Sequence, residues 1–63
     1  MNQTTQGILQ EIAQTGQAVI ILSRSRDLTA ARDLISAGIA HIYSDRTVEG
    51  FIVIKFGSRP VSI

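Results

Sequence analysis

The run Ala18-Val19-Ile20-Ile21-Leu22 has no polar face. Its length and its Val-Ile-Ile content predict a strand. A strand on a one-sided sheet alternates apolar and polar residues, so a run without alternation predicts cover on both faces. The stretch around it, Gln17 to Ser44, reads as strand, helix, strand. The apolar run turns through Ser23-Arg24-Ser25-Arg26-Asp27 into an amphipathic segment, Leu28 to Ala37, which stops at Gly38 before a second apolar run begins at Ile39.

The second helix is expected to bury Leu28, Ala31, Leu34 and Ile35, with Asp27 as its amino-terminal cap, or Thr29 one turn later. Gly38 suits the stop, and Ile39 sits where an apolar residue often folds back on the last turn. A strand, a helix and a parallel strand joined in this way are expected to cross over right-handed.

Upstream, Ile8, Leu9, Ile12 and Ala13 recur at helical spacing within Thr4 to Thr15. They predict a first helix, capped by Thr4 or Thr5 and ended by Gly16. Downstream, Ile39 to Tyr43 and Phe51 to Phe56 predict two antiparallel strands joined by the loop Ser44 to Gly50, longer than a tight hairpin. On the last strand Phe51, Val53 and Lys55 share one face, and Ile52, Ile54 and Phe56 the other. Gly57 ends it. In the tail, residues 58–63, Val61 and Ile63 alternate with polar or turn residues, which suits an edge strand or a reach to a neighbouring subunit. The fold class is therefore α+β, in the order α-β-α-β-β, as one domain over residues 1–63 with two helices on a small three-stranded sheet.

Size sharpens the matter of cover. A chain of 63 residues lies where one core is marginal, and such domains add disulfides, a metal or a partner subunit. There is no cysteine and only one histidine, so no disulfide, thiolate or multi-histidine metal site is expected. A partner subunit is the staple left. Two helices on one sheet face would leave the other face apolar and bare, and a homodimer would cover it. Charged residues make up 17% of the chain, against about 25% in typical domains, which again leaves apolar surface to be covered. No run approaches the length of a membrane span, and Met1 to Gln6 has no basic region before an apolar one. The expected setting is the cytoplasm, with no membrane partner.

Catalytic combinations are thin. Ser23, His41 and Asp45 supply the residue types of a nucleophilic triad, but such a set is recognised by geometry, and the carboxylates have no spacing that demands a common site. Gly38, Gly50 and Gly57 are isolated turn or cap residues, not a phosphate loop. The chain is read as no enzyme, with no cofactor, no metal and no catalytic residue. Ser23 to Asp27 is more suggestive. It joins the end of a strand to the start of a helix, where ligands bind in open α/β sheets and free amides attract anions. Arg24, Ser25 and Arg26 add donors suited to phosphate. Arg32 on the helix and Arg46 in the hairpin loop would extend this to a basic surface, although the formal net charge is only +1.

From Leu28 to Phe56 the chain resembles the second half of a winged-helix DNA-binding domain. The likeness is carried by Leu34-Ile35-Ser36-Ala37-Gly38-Ile39 at a helix end and by a hairpin tipped with Asp45-Arg46. It implies a helix that enters the major groove with Arg32 toward DNA and Arg46 on the wing. Where that family has a further helix, this chain has the strand at Ala18. Val19 to Tyr43 is also similar to a late strand-helix-strand unit of a response-regulator receiver domain, with Ser23 at the position of a strand-ending hydroxyl residue.

Two functions fit this sequence. One is a small dimeric nucleic-acid-binding or regulatory protein that uses Arg24, Ser25, Arg26, Arg32 and Arg46 on phosphates. The other is a homo-oligomeric interaction or assembly module with no ligand chemistry of its own.

Overall fold

The computed structural model describes residues 3–57. The expected tail strand and the role given to Val61 and Ile63 lie outside the described residues. The element order is helix α1 (Gln3–Thr15), strand β1 (Ala18–Ile21), helix α2 (Ser25–Ser36), strand β2 (Ala40–Arg46), a 3-10 turn (Thr47–Glu49) and strand β3 (Phe51–Phe56). This is the α+β order that the apolar periodicities predict.

The sheet order is β1-β3-β2, and both pairings are antiparallel. β1 and β2 therefore run parallel, as expected of a strand-helix-strand unit, but they do not touch because β3 lies between them. The middle place suits β3. Ile52, Val53 and Ile54 are all buried, as a strand with neighbours on both edges requires.

Both helices lie on one face of this sheet. One cluster joins Ile8 and Ile12 of α1, Ala30, Ala31 and Leu34 of α2, Ala18 and Ile20 of β1, Ala40 of β2, and Ile52 and Ile54 of β3. The register explains the membership. Ala18 pairs with Ile54 and Ile20 with Ile52, so these four point to the helices, whereas Val19 and Ile21 pair with Val53 and Phe51 on the opposite face. Within one chain β1 is covered on one side, the bare second face being what two helices on the same sheet face leave. Ile20 is 1% exposed but Val19 is 42% exposed.

Helix limits also differ from the sequence reading. α2 begins at Ser25 with Arg24 as its flanking residue, and no side chain caps it. Asp27 falls in the first turn, not at the cap, because Leu28 N–H already bonds to the Arg24 carbonyl at 3.0 Å. Likewise α1 begins at Gln3, which puts Thr4 and Thr5 inside it, and Thr5 is buried. At the other end of α2 the expected stop is found. Gly38 has φ +75°, Gly38 N–H bonds to Ile35 carbonyl at 3.1 Å, and Ile39 N–H to Leu34 carbonyl at 3.0 Å. These two bonds satisfy carbonyls that the last helical turn leaves free.

β2 runs three residues beyond its expected end and takes in Ser44, Asp45 and Arg46. A bulge permits this. Ile42 pairs with Ile54 and Ser44 with Val53, leaving Tyr43 as the extra residue. Plain alternation would put Ile42 and Ser44 on one face. The bulge instead keeps Ile42 on the helix side and turns Ser44 to the other.

Candidate functional site: an open sheet face and a polar end

The face away from the helices carries Val19 and Ile21 from β1, Phe51, Val53 and Lys55 from β3, and His41, Ser44 and Arg46 from β2, by register. Tyr43 belongs to it as well, since Lys55 Nζ lies 3.8 Å from the centroid of its ring. Its apolar members are unevenly wet. Val53 at the centre is 9% exposed, while Ile21 is 36% and Tyr43 60% exposed. Val53 is not part of the cluster that packs against the helices.

Charge sits at the two ends of this face. Lys55 and His41 pair across β3 and β2 at one end, and His41 Nδ1–H donates to the Gly57 carbonyl at 2.9 Å. At the other end, Arg46 Nη1 lies 3.6 Å from Glu49 Oε1. Between them the row Val19, Val53, Ser44 crosses the strands in register.

The sheet edges are less available than the face. The Val19 N–H donates to Glu11 Oε2 of α1 at 3.1 Å, and the Ile21 carbonyl accepts from Arg24 N–H at 3.0 Å. These bonds occupy backbone groups on the outer edge of β1. The outer edge of β2 is broken by the Tyr43 bulge. Occupied groups and bulges both hinder the addition of another strand.

The predicted anion-binding residues divide. α1 runs toward β1 and α2 runs away from it, so the amino ends of both helices come to the same end of the sheet. Thr4, Ser23, Arg24, Ser25 and Arg26 line one shallow cleft there, and Thr4, Ser25 and Arg26 extend into a second beside Thr29 and Asp33. Arg46 ends β2 at this same end, because its partner Phe51 also pairs with Ile21. Arg32 is elsewhere. It is exposed seven residues into α2, about 10 Å along the helix from Ser25.

This end of the fold is not strongly basic. Arg24 approaches Asp27 at 4.0 Å and Arg46 approaches Glu49 at 3.6 Å. Asp45, next to Arg46 in β2, supplies a third carboxylate at this end of the sheet. Its Oδ1 accepts from the Thr47 hydroxyl and, at 3.0 Å, from Thr47 N–H. These bonds, the hydroxyl first, hold its pKa below the ordinary 3.8, so it is ionised at neutral pH. The two helix ends add about half a positive charge each. Among the described residues, Arg26 and Arg32 have no carboxylate within ion-pair distance.

Ser23, His41 and Asp45 are not brought together. Ser23 follows β1 at the Arg46 end, His41 is at the Lys55 end, and Asp45 pairs with Ile52 on the helix side. Among the described residues there is no group of three or more His, Asp or Glu placed to hold a metal. No helix among them is long and apolar enough to cross a membrane.

Sequence reasoning missed the Tyr43–Lys55 contact and the Glu11 bond to β1. The first depends on the register that sets His41 opposite Lys55, with Tyr43 on the same face, and alternation within one strand does not fix that pairing. The second had one cue, a lone acid on the otherwise uncharged polar side of α1. Neither a family model, nor a curated protein, nor a solved structure matches this chain.

Proposed function

We propose that this protein is a homo-oligomeric assembly module whose contact surface is the open sheet face. The observation that carries this reading is the row of Val19, Ile21, Phe51 and Val53, aligned by register on a face that no helix covers. Burial of apolar surface is the main favourable term in association. The setting is the cytoplasm, where a chain without cysteine loses nothing by lacking disulfides.

Size sets the strength. With strands of four, seven and six residues, about 3.3 Å per residue and about 4.8 Å between strands, the face covers roughly 270 Å² in projection. Two such faces fall short of the ~1,600 Å² of a standard stable interface, so the association is of the weak class. Static light scattering from about 10 μM to 1 mM tests it. A mass that climbs with concentration is expected, and a constant monomer mass over that range overturns the reading.

A second reading, nucleic-acid binding at the polar end, draws support from the two helix amino ends beside Arg24, Ser25 and Arg26. The winged-helix resemblance of residues 28–56 points the same way, and Arg32 and Arg46 would extend the contact. It ranks lower because Asp27 and Glu49 pair with Arg24 and Arg46, and Asp45 adds a further negative charge beside Arg46 in β2. Fluorescence anisotropy with a labelled duplex at about 20 mM salt is the test. Binding that falls steeply with salt and weakens in Arg26→Gln is expected, and no binding at low salt removes it.

A further inference from the structure

We propose that the outer side of α1 is a second self-contact, where α1 packs antiparallel on α1 of another copy about a twofold axis beside Gln10. Every glutamine of the chain falls within residues 3–17. Gln6, Gln10 and Gln14 recur about one helical turn apart. They are exposed, on the side opposite the buried Thr5, Ile8 and Ile12. Gly7 and Ala13 flank them and are exposed as well. A methyl group at Gly7 would meet nothing within 4 Å, so the line stands open. The one charged side chain of α1, Glu11, is turned aside to accept from Val19 N–H at 3.1 Å. Surface helices ordinarily solvate their outer side with charge, and depletion of charge is a mark of interface centres.

The order of these residues fits a second copy. Gly7 and Ala13 stand three residues to either side of Gln10, and Gln6 and Gln14 stand four. The line therefore reads alike in both directions, as a self-complementary twofold contact requires. At about 100° per residue, Gln6 and Ala13 lie on one flank of Gln10, and Gly7 and Gln14 on the other. An antiparallel pair centred on Gln10 then sets Gln6 against Ala13 of the second copy, Gln14 against Gly7, and Gln10 against Gln10. Each long side chain beyond the axis meets a small residue, which is the interdigitation that close helix packing needs. On the axis, a carboxamide carries both donors and an acceptor, so Gln10 can bond to its own copy. Helix dipoles favour the antiparallel sense, since a parallel pair would set positive amino ends side by side.

Carboxamides exchange bonds to water for bonds to one another at small net gain. This contact is therefore weaker than the apolar sheet face and adds little to the mass over the range in which that face pairs. The two surfaces are on opposite sides of the fold, because both helices cover one face of the sheet. A copy that uses both is one link of an open row, and that last step alone rests on the assembly reading.

The chain has no cysteine, so disulfide trapping can report a contact this weak. Gln10→Cys should form a linked dimer on mild oxidation at least about tenfold faster than Val48→Cys, because a held pair raises the local thiol concentration. Val48 is fully exposed at the hairpin tip, off the contact. Gln6→Cys should link to Ala13→Cys when the two are mixed, and each only poorly to itself. Adding Ile21→Lys to Gln10→Cys should leave the link in place, since the sheet face is not used. Equal rates for Gln10→Cys and Val48→Cys would overturn the contact. Gln6→Cys linking to itself as fast as to Ala13→Cys would overturn the antiparallel order. A Gln10→Cys link lost with Ile21→Lys would make it a by-product of the sheet face and overturn it too. A wild-type mass that never climbs removes the sheet-face reading, while a persistent Gln10→Cys link still upholds this one. Circular dichroism of the reduced variants checks the fold, and if Gln10→Cys fails to fold, the mixed Gln6→Cys and Ala13→Cys pair decides.

Discussion

Ile20 and Ile21 are consecutive residues of one strand, alike in volume, and they face opposite ways. Ile20 packs among both helices and β3, and Ile21 has no helix over it. Truncating Ile20 to alanine leaves a cavity in a closed core, a change that costs about 2–5 kcal/mol. A domain of 63 residues has a total stability of about 3–9 kcal/mol at ordinary values per residue. Ile20→Ala should therefore remove most of the folding free energy. Ile21→Ala encloses no cavity and uncovers part of a side chain already more than one-third exposed, a loss of about 1 kcal/mol or less. Urea unfolding followed by circular dichroism at low micromolar concentration measures both. With a slope of about 1 kcal/mol per molar urea for a small domain, Ile21→Ala should keep its transition within about 1 M of the parent, and Ile20→Ala should be unfolded or nearly so without urea. At high concentration the Ile21→Ala deficit should grow, because a dimer contact adds stability by mass action. Equal losses in the two variants at low concentration would refute the one-sided core.

Asp45 gives a pH prediction. Its folded pKa is depressed by Thr47, so the stabilisation is complete above the unfolded value near 3.8 and is lost as pH falls through the lower folded value. Asp45→Asn should lose that acid-side dependence, and an NMR titration of Asp45 in Thr47→Val should shift upward toward the ordinary range; no movement would discard the hydrogen-bond cause. Two glycines with open space around them should respond in opposite senses. Gly7 lies within α1, and a methyl group there meets nothing within 4 Å. Gly7→Ala should raise stability by up to about 1 kcal/mol through helix propensity. Gly50 also has room, but its φ is +95°, so Gly50→Ala should cost about 1–2 kcal/mol and advance the thermal midpoint downward.

Much of the fold is readable from the residues. The helical spacing of Ile8, Leu9 and Ile12 and the β-branched run at Ala18 identify α1 and β1, and Phe51 to Phe56 marks β3 with its observed limits. Strand order was less accessible, since pairing is decided by contacts distant in sequence. The burial expected of a central strand was nevertheless visible in Phe51-Ile52-Val53-Ile54. The start of α2 was misplaced because the first turn, Ser25-Arg26-Asp27, is polar, and apolar periodicity registers a helix only where it packs. The run of β1 looked covered on both sides because sequence records what a face prefers, not which copy of the chain supplies the cover. The arginines are dispersed for a related reason. Arg24, Arg26 and Arg46 share an end of the sheet through topology, and Arg32 is carried away from them along α2.

Sedimentation equilibrium of the wild-type chain beside Ile21→Lys bears most directly on the open face as a contact surface. Ile21 is accessible on that face, so a lysine there keeps its charge in water in the monomer and loses that water in a face-to-face dimer. The wild-type mass should rise from 6.8 kDa toward twice that value between about 10 μM and 1 mM, a range set by the small interface, while Ile21→Lys stays folded at the monomer mass. A wild-type chain that remains at the monomer mass throughout, or an Ile21→Lys chain that associates as strongly as the wild type, would contradict it.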